Sequence, residues 1–290
     1  MFDNIFAAIE KWMRELLTGM VESNMSTMFT DVNEKTSEIA AQVGRTPQNW
    51  NSSVFSMIQN LSESVVVPIA GIIITLVLCY ELISMLTERN NLHDVDTWMF
   101  FKYFVKAWVA IYLVSNTFTI TMAVFDVGQS VVNSASGIIN GETAIDVSSL
   151  SMQMQAAMAT MEIGELVVLA LETFLVSFCM KIMSVVITVI VYGRMIEIYL
   201  YTSLAPIPFA TMSNREWGHV GTNYFRGLFA LAFQAFLMMV CVAIYAALIS
   251  SVQISSNMHS ALIGVAAYTV ILCFSLMKTG SLSKQIFGSH

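Results

Sequence analysis

LVVLALETFLVSFCMKIMSVVITVIVY, residues 166–192, carries two charges, Glu172 and Lys181, in an otherwise apolar run. A helix rises about 1.5 Å per residue, so about 20 such residues cover the roughly 30 Å of hydrocarbon in a bilayer. The run is long enough to cross, and no turn residue interrupts it. Read this way, it makes the chain a membrane protein, and the remaining sequence has to fit around it.

Composition agrees. The chain has 290 residues, 56% hydrophobic and 11% charged, with a mean hydropathy of +0.69. A soluble domain carries about a quarter charged residues, so there is too little polar surface here to cover a water-soluble globule. The net charge of −7 excludes a strongly basic nucleic-acid surface. Cys79, Cys179, Cys241 and Cys273 lie in apolar stretches without CxxC spacing, which reads as small buried hydrophobes.

Four further apolar runs accompany the first, giving expected crossings at about 65–86, 104–125, 166–192, 227–249 and 261–278. The stretches 126–164 and 250–260 contain no Lys or Arg. The opposite connections hold Arg89, Lys102, Lys106, Arg194, Arg215 and Arg226, and the tail holds Lys278 and Lys284. Because basic residues are retained on the cytoplasmic side, this alternation places the N-terminus outside and the C-terminus in the cytoplasm. Lys11, Arg14, Lys35 and Arg45 run against it, but most are too distant from the first crossing to weigh heavily.

Residues 203–218, SLAPIPFATMSNREWG, follow the opening run. Pro206 and Pro208 donate no backbone hydrogen bond and bias the residues before them away from helix. The apolar piece 198–212 is too short to cross. Counting it as a crossing would reverse the charge alternation, so it is expected to re-enter from the cytoplasmic face or lie along it. A helix that simply stops at the interface is the plainer alternative.

At the N-terminus, Phe2, Ile5, Phe6, Ile9, Trp12, Met13, Leu16, Leu17 and Met20 recur at helical spacing. Glu10, Lys11, Arg14 and Glu15 interrupt the apolar core that a secretory signal needs. The reading is an amphipathic helix lying on a membrane or packing on a partner. The organisation is therefore a segment 1–63 outside the cytoplasm and a transmembrane domain 64–290, with an outer loop 126–164 and a cytoplasmic proline-containing segment 193–226. The fold class is an all-α polytopic membrane protein.

Charges inside apolar runs are costly and normally face protein or water. Glu81 and Lys106 lie near the inner ends, where snorkelling explains them. Lys181 is deeper, and Glu172, nine residues earlier, is too far along the helix to pair with it. For both, a partner on another helix or subunit, or a water-filled lumen, is expected. Arg194 and Glu197 are spaced to pair locally. Ala243, Ala247 and Ser251 recur once per turn and allow close helix contact. Met154, Met158 and Met161 suit core packing or an adaptable docking surface.

No nucleotide-binding glycine loop, HExxH or His/Cys/carboxylate cluster occurs, and His93, His219, His259 and His290 are scattered. The expectation is a protein without catalytic activity, cofactor or metal.

The layout, with "YGRMIEIYLYTSLAPIPFATMSNREWG" (192–218) and "DVDTWMFFKYFVKAW" (94–108) as its best local matches, resembles the TrbL-like inner-membrane subunit of type IV secretion and conjugation machines. It is most similar to the short versions carried by conjugative elements of Gram-positive bacteria. The resemblance implies an oligomeric channel or scaffold subunit in the cell membrane, working with ATPases of the same machine. Single-stranded DNA with its relaxase would pass transiently across the bilayer. It also associates the outer loop, Asp126 to Gly164, with substrate passage. That loop holds Asp126, Glu142, Asp146 and Glu162 against no base, the opposite of a phosphate-gripping groove. The alternative reading is a small-solute transporter or ion channel with a broken-helix site.

Overall fold

The computed structural model describes residues 2–87, 97–139, 147–252 and 258–289. Arg89, His93, Glu142, Asp146 and His290 lie outside the described residues. Among the described residues there are helices and no strand. They are α1 (Phe2–Val43), α2 (Pro47–Trp50), α3 (Ser52–Leu61), α4 (Val67–Thr87), α5 (Thr97–Ser115), α6 (Thr117–Ile139), α7 (Val147–Met158), α8 (Ile163–Ser203), α9 (Pro206–Thr211), α10 (Gly218–Ser250) and α11 (Met258–Ile286).

Among the described residues, five stretches are long and apolar enough to cross a membrane: Ser52–Thr87, Trp98–Ser115, Ile163–Ser203, Gly218–Ser250 and Met258–Ile286. The chain is an all-α polytopic membrane protein. The stretch 104–125, expected as one crossing, is divided between α5 and α6. The division is a single residue, Asn116, whose N–H still donates to the Tyr112 carbonyl at 3.1 Å and whose carbonyl accepts from Ile120 at 3.0 Å. The Asn116 side chain donates to the Tyr112 carbonyl at 2.9 Å, and the Thr117 hydroxyl donates to that of Leu113 at 2.8 Å. Short polar side chains that bond their own backbone compete with the helical ladder.

Proline explains a second irregularity. Between α3 and α4 the helix widens into a π-helical turn, Ser62–Val66, in which the Val67 N–H reaches the Ser62 carbonyl. Pro68 follows directly and has no N–H of its own, and an inserted residue is a common way to continue past such a gap.

The chain forms two compact units. The first comprises Met1–Val43, Ser134–Val191 and Met238–Lys278. Within it α1 runs parallel to the first part of α8. Arg14 donates to the Met161 carbonyl at 2.7 Å, Asn24 to the Thr173 hydroxyl at 3.4 Å, and Lys35 to the Thr188 hydroxyl at 3.1 Å. The helical period puts Val21, Met25, Met28, Val32 and Ile39 on the buried side of α1. α7 packs on α1, and its Met154 and Met158 are buried, so these methionines are core. On α10 the packed face is Val242, Tyr245, Ala246 and Ile249, with the Tyr245 hydroxyl 2.8 Å from that of Thr269 on α11. On the small-residue stripe Ala243 is half-buried, and Ala247 and Ser251 are exposed.

The second unit comprises Gly44–Asn133, Tyr192–Leu237 and Thr279–His290. One core joins Ala70, Ile74 and Leu78 of α4 to Ala110 and Val114 of α5 and to Phe209 and Ala210 of α9. Another joins Val124 and Phe125 of α6 to Met195 and Ile198 of α8 and to Leu228, Leu231 and Ala232 of α10. Lipid tails are as apolar as these side chains, so close contact rather than escape from water holds such helices together. Gly128 shows how close: a Cβ there would lie 2.9 Å from the Ala232 carbonyl oxygen.

Candidate functional site

The second unit contains the proline turn. α8 ends where Thr202 and Ser203 donate their hydroxyls to the carbonyls of Tyr199 and Leu200, at 3.1 and 2.8 Å. Pro206 then opens α9 at its first position, preceded by Ala205 in helical geometry. The first N–H groups of a helix have no partner within it, so neither Pro206 nor Pro208 sacrifices a bond there. The expected bias against helix is therefore overridden: these prolines start a short helix. Pro206, Phe209 and Ala210 are buried, and α9 packs on α4 and α5.

The return from α9 to α10 rests on Asn214, whose side-chain oxygen accepts from the Glu216 and Trp217 N–H groups at 2.7 and 3.0 Å. Its amide nitrogen donates to Glu81 at 3.5 Å, and the other Glu81 oxygen pairs with Lys106 at 2.5 Å. Tyr80 donates to Glu216 at 3.0 Å, and its ring stacks on Trp217 with centroids 5.8 Å apart. A chain of polar contacts thus ties the turn to α4 and α5. Glu81 and Lys106, read separately as snorkelling charges, are partners.

Gly221 admits the turn to the start of α10. A Cβ at that position would lie 2.4 Å from the Pro208 carbonyl oxygen and 2.1 Å from Met212 Cγ. One turn further, Tyr201 and Tyr224 stack with centroids 4.5 Å apart, and each hydroxyl donates to the other residue's carbonyl, at 3.3 and 2.7 Å. An open groove of about 520 Å³ lies beside them, lined by Glu197, Leu200, Tyr201, Leu204, Ile207 and Pro208 among others.

The other charges are distributed differently from the sequence reading. Glu197 pairs with Lys284 at 2.9 Å instead of with Arg194. Arg194 is buried, donates one Nη2 bond to the Leu231 carbonyl at 3.4 Å, and has no partner for its Nε. In the first unit Glu172 pairs with His259 on α11. Lys181 is exposed and has no hydrogen-bond or ion-pair partner among the described residues.

Sequence reasoning missed Tyr80, Asn214, Glu216, His259 and Lys284. Asn214 alone had a readable signal, since a lone Asn ahead of a helical run is a preferred N-cap. No group of three or more His, Cys, Asp or Glu among the described residues is placed to hold a metal ion. The arrangement braces a turn through Asn214, Glu81, Lys106, Tyr80 and Glu216, while the buried Ser213 hydroxyl within it has no partner among the described residues.

A family model described as TrbL/VirB6 plasmid conjugal transfer like protein matches residues 32–206. The match covers more than half of the chain and ends on the first proline of the turn, and the chain belongs to this family. No curated protein and no solved structure matches it. The family makes the chain a membrane component of conjugal transfer and type IV secretion that works with other subunits of that machinery.

Proposed function

Taking that membership as the premise, we propose that this subunit shapes the membrane passage through which a conjugation machine moves single-stranded DNA with its attached relaxase. The observation that carries the reading is the family match over residues 32–206, from the last part of α1 through α8, together with five helical stretches, among the described residues, long and apolar enough to cross. The subunit acts as a scaffold in an oligomer of identical chains, without chemistry of its own. It does not hold DNA by charge, because a strand-binding groove needs a line of cations and stacking platforms. ATPases of the machine act from the cytoplasmic side, where the sequence places Arg194, Arg215, Arg226 and Lys284. The braced proline turn, centred on Pro206 and Pro208, is the rigid element offered to them.

Deleting the gene from its mobile element and counting donor-to-recipient transfer tests this. Loss of transfer, restored by the gene supplied in trans, is expected; undiminished transfer would end the reading. Orientation is tested by thiol labelling in intact cells. A cysteine replacing Thr160 is expected to react from outside, and one replacing Arg215 only after the membrane is opened.

A further inference from the structure

The outward face of α1 changes chemistry along its length. Alternating steps of four and three residues pass through Ile5, Ile9, Trp12 and Leu16, which are 50, 49, 62 and 48% exposed. The same steps continue through Gly19, Ser23, Ser26, Thr30, Asn33 and Ser37; of these Asn33 is half-buried and the others are exposed. One seam with the 3.5-residue period of associating helices is therefore apolar in its first half and small and polar in its second.

The register against α8 shows what surrounds each half. Asn24 meets Thr173 and Lys35 meets Thr188, so the polar half lies beside the apolar crossing run of α8. There α8 presents Leu171, Phe174, Phe178, Ile182, Val185 and Val189 outward. Lys181 apart, two adjacent helices at one depth thus show opposite surfaces. Glu34 decides the matter, since it is exposed beside that run and has no ion-pair partner among the described residues. A carboxylate facing hydrocarbon is expensive. Meanwhile Arg14 meets Met161, which places Ile5 to Trp12 beyond the start of α8 and Leu16 level with it, where apolar side chains meet water. A single subunit has its polar seam at the depth of oil and its apolar seam at the depth of water.

Association of identical chains through this face corrects both faults. We propose that α1 is the lumen helix of the assembly. Copies of this chain meet through Ile5, Ile9, Trp12 and Leu16 at the mouth, and an aqueous passage lies between their Ser23–Ser37 stretches, with the outward apolar face of α8 turned away from the passage. The assignment rests on the passage-forming reading above and names the surface that performs it. Hydroxyls and the Glu34 carboxylate line the passage, so a phosphate backbone slides by without being held.

The test uses the full chain in its own membrane, with Cys79, Cys179, Cys241 and Cys273 replaced by alanine. Three single cysteines are introduced separately: Ile9→Cys, Thr30→Cys and Val185→Cys. Ile9→Cys is expected to form disulfide-linked dimers on mild oxidation. Thr30→Cys is expected to react with a charged, membrane-impermeant thiol reagent applied from outside, and Val185→Cys to resist it while reacting with a lipid-soluble maleimide. The last reaction reports that the protein is inserted. A monomeric Ile9→Cys chain or an unreactive Thr30→Cys chain, with insertion shown in this way, overturns the assignment of α1. Transfer lost on gene deletion in that case leaves the passage reading standing, whereas transfer unaffected by deletion removes that reading even if Ile9→Cys cross-links.

Discussion

Lys106 and Lys181 both sit in apolar helices of this protein, and their surroundings differ. Lys106 on α5 meets Glu81, whose other oxygen is engaged by Asn214. Lys181 on α8 stands exposed among Phe178, Ile182 and Val185 with nothing described beside it. A charge that finds its counter-charge within the subunit belongs to the fold. A charge that finds none belongs to whatever covers the subunit, because lipid cannot supply the missing group. The same contrast separates the Glu81 and Lys106 charges at the proline turn, which are paired within the subunit, from Lys181 and Glu34 on the outward surface of the first unit, which are not paired among the described residues.

Removing Glu81 gives the largest expected effect on this comparison. Glu81→Leu leaves Lys106 and the Asn214 amide without their acceptor and is expected to cost about 2 kcal/mol or more. It would appear as a lowered unfolding midpoint of the purified protein in detergent. Adding Lys106→Leu is expected to recover part of the loss, as coupled neighbours do. Gly221→Ala comes next. The new methyl group meets the Pro208 carbonyl oxygen at 2.4 Å, and backbone has to yield, for an expected loss of about 1–3 kcal/mol in the same assay. Lys181→Leu has the smallest effect on the isolated subunit, within about 0.5 kcal/mol, as for a surface site. Its effect is expected in co-purification of differently tagged copies and in transfer, both reduced. Should Lys181→Leu lower the midpoint as much as Glu81→Leu does, the distinction between the two lysines fails.

What the sequence made legible was whatever depends on run length. Residues 166–192 and 227–249 read as crossings because about twenty apolar residues have few other uses. What it hid depends on contacts across long separations. Nothing in the order of residues joins Glu81 to Lys106, Glu172 to His259 or Glu197 to Lys284. Each pairing exists only once helices pack. Arg194 and Glu197 illustrate the converse: the spacing allowed a pair, but Leu231 and Lys284 are the partners. α1 shows a third kind of blindness. Beyond Met20 its buried residues, Val21, Met25, Met28 and Val32, are separated by Ser, Thr, Asn and Glu, so average hydropathy conceals a helix that lies beside a crossing. The prolines were read as an interruption, and the bond geometry at Ala205 and Pro206 makes them the beginning of a short helix.

The single-residue joint at Asn116 has a consequence for how this chain tolerates change in length. Each residue turns a helix by about 100°. Excising Asn116 would swing Val124 and Phe125 about a quarter turn off Met195 and Leu228, whereas the same excision in a long connection would be absorbed by slack. The joint is a phase lock, and insertions or deletions near it are expected to be among the worst tolerated in the molecule.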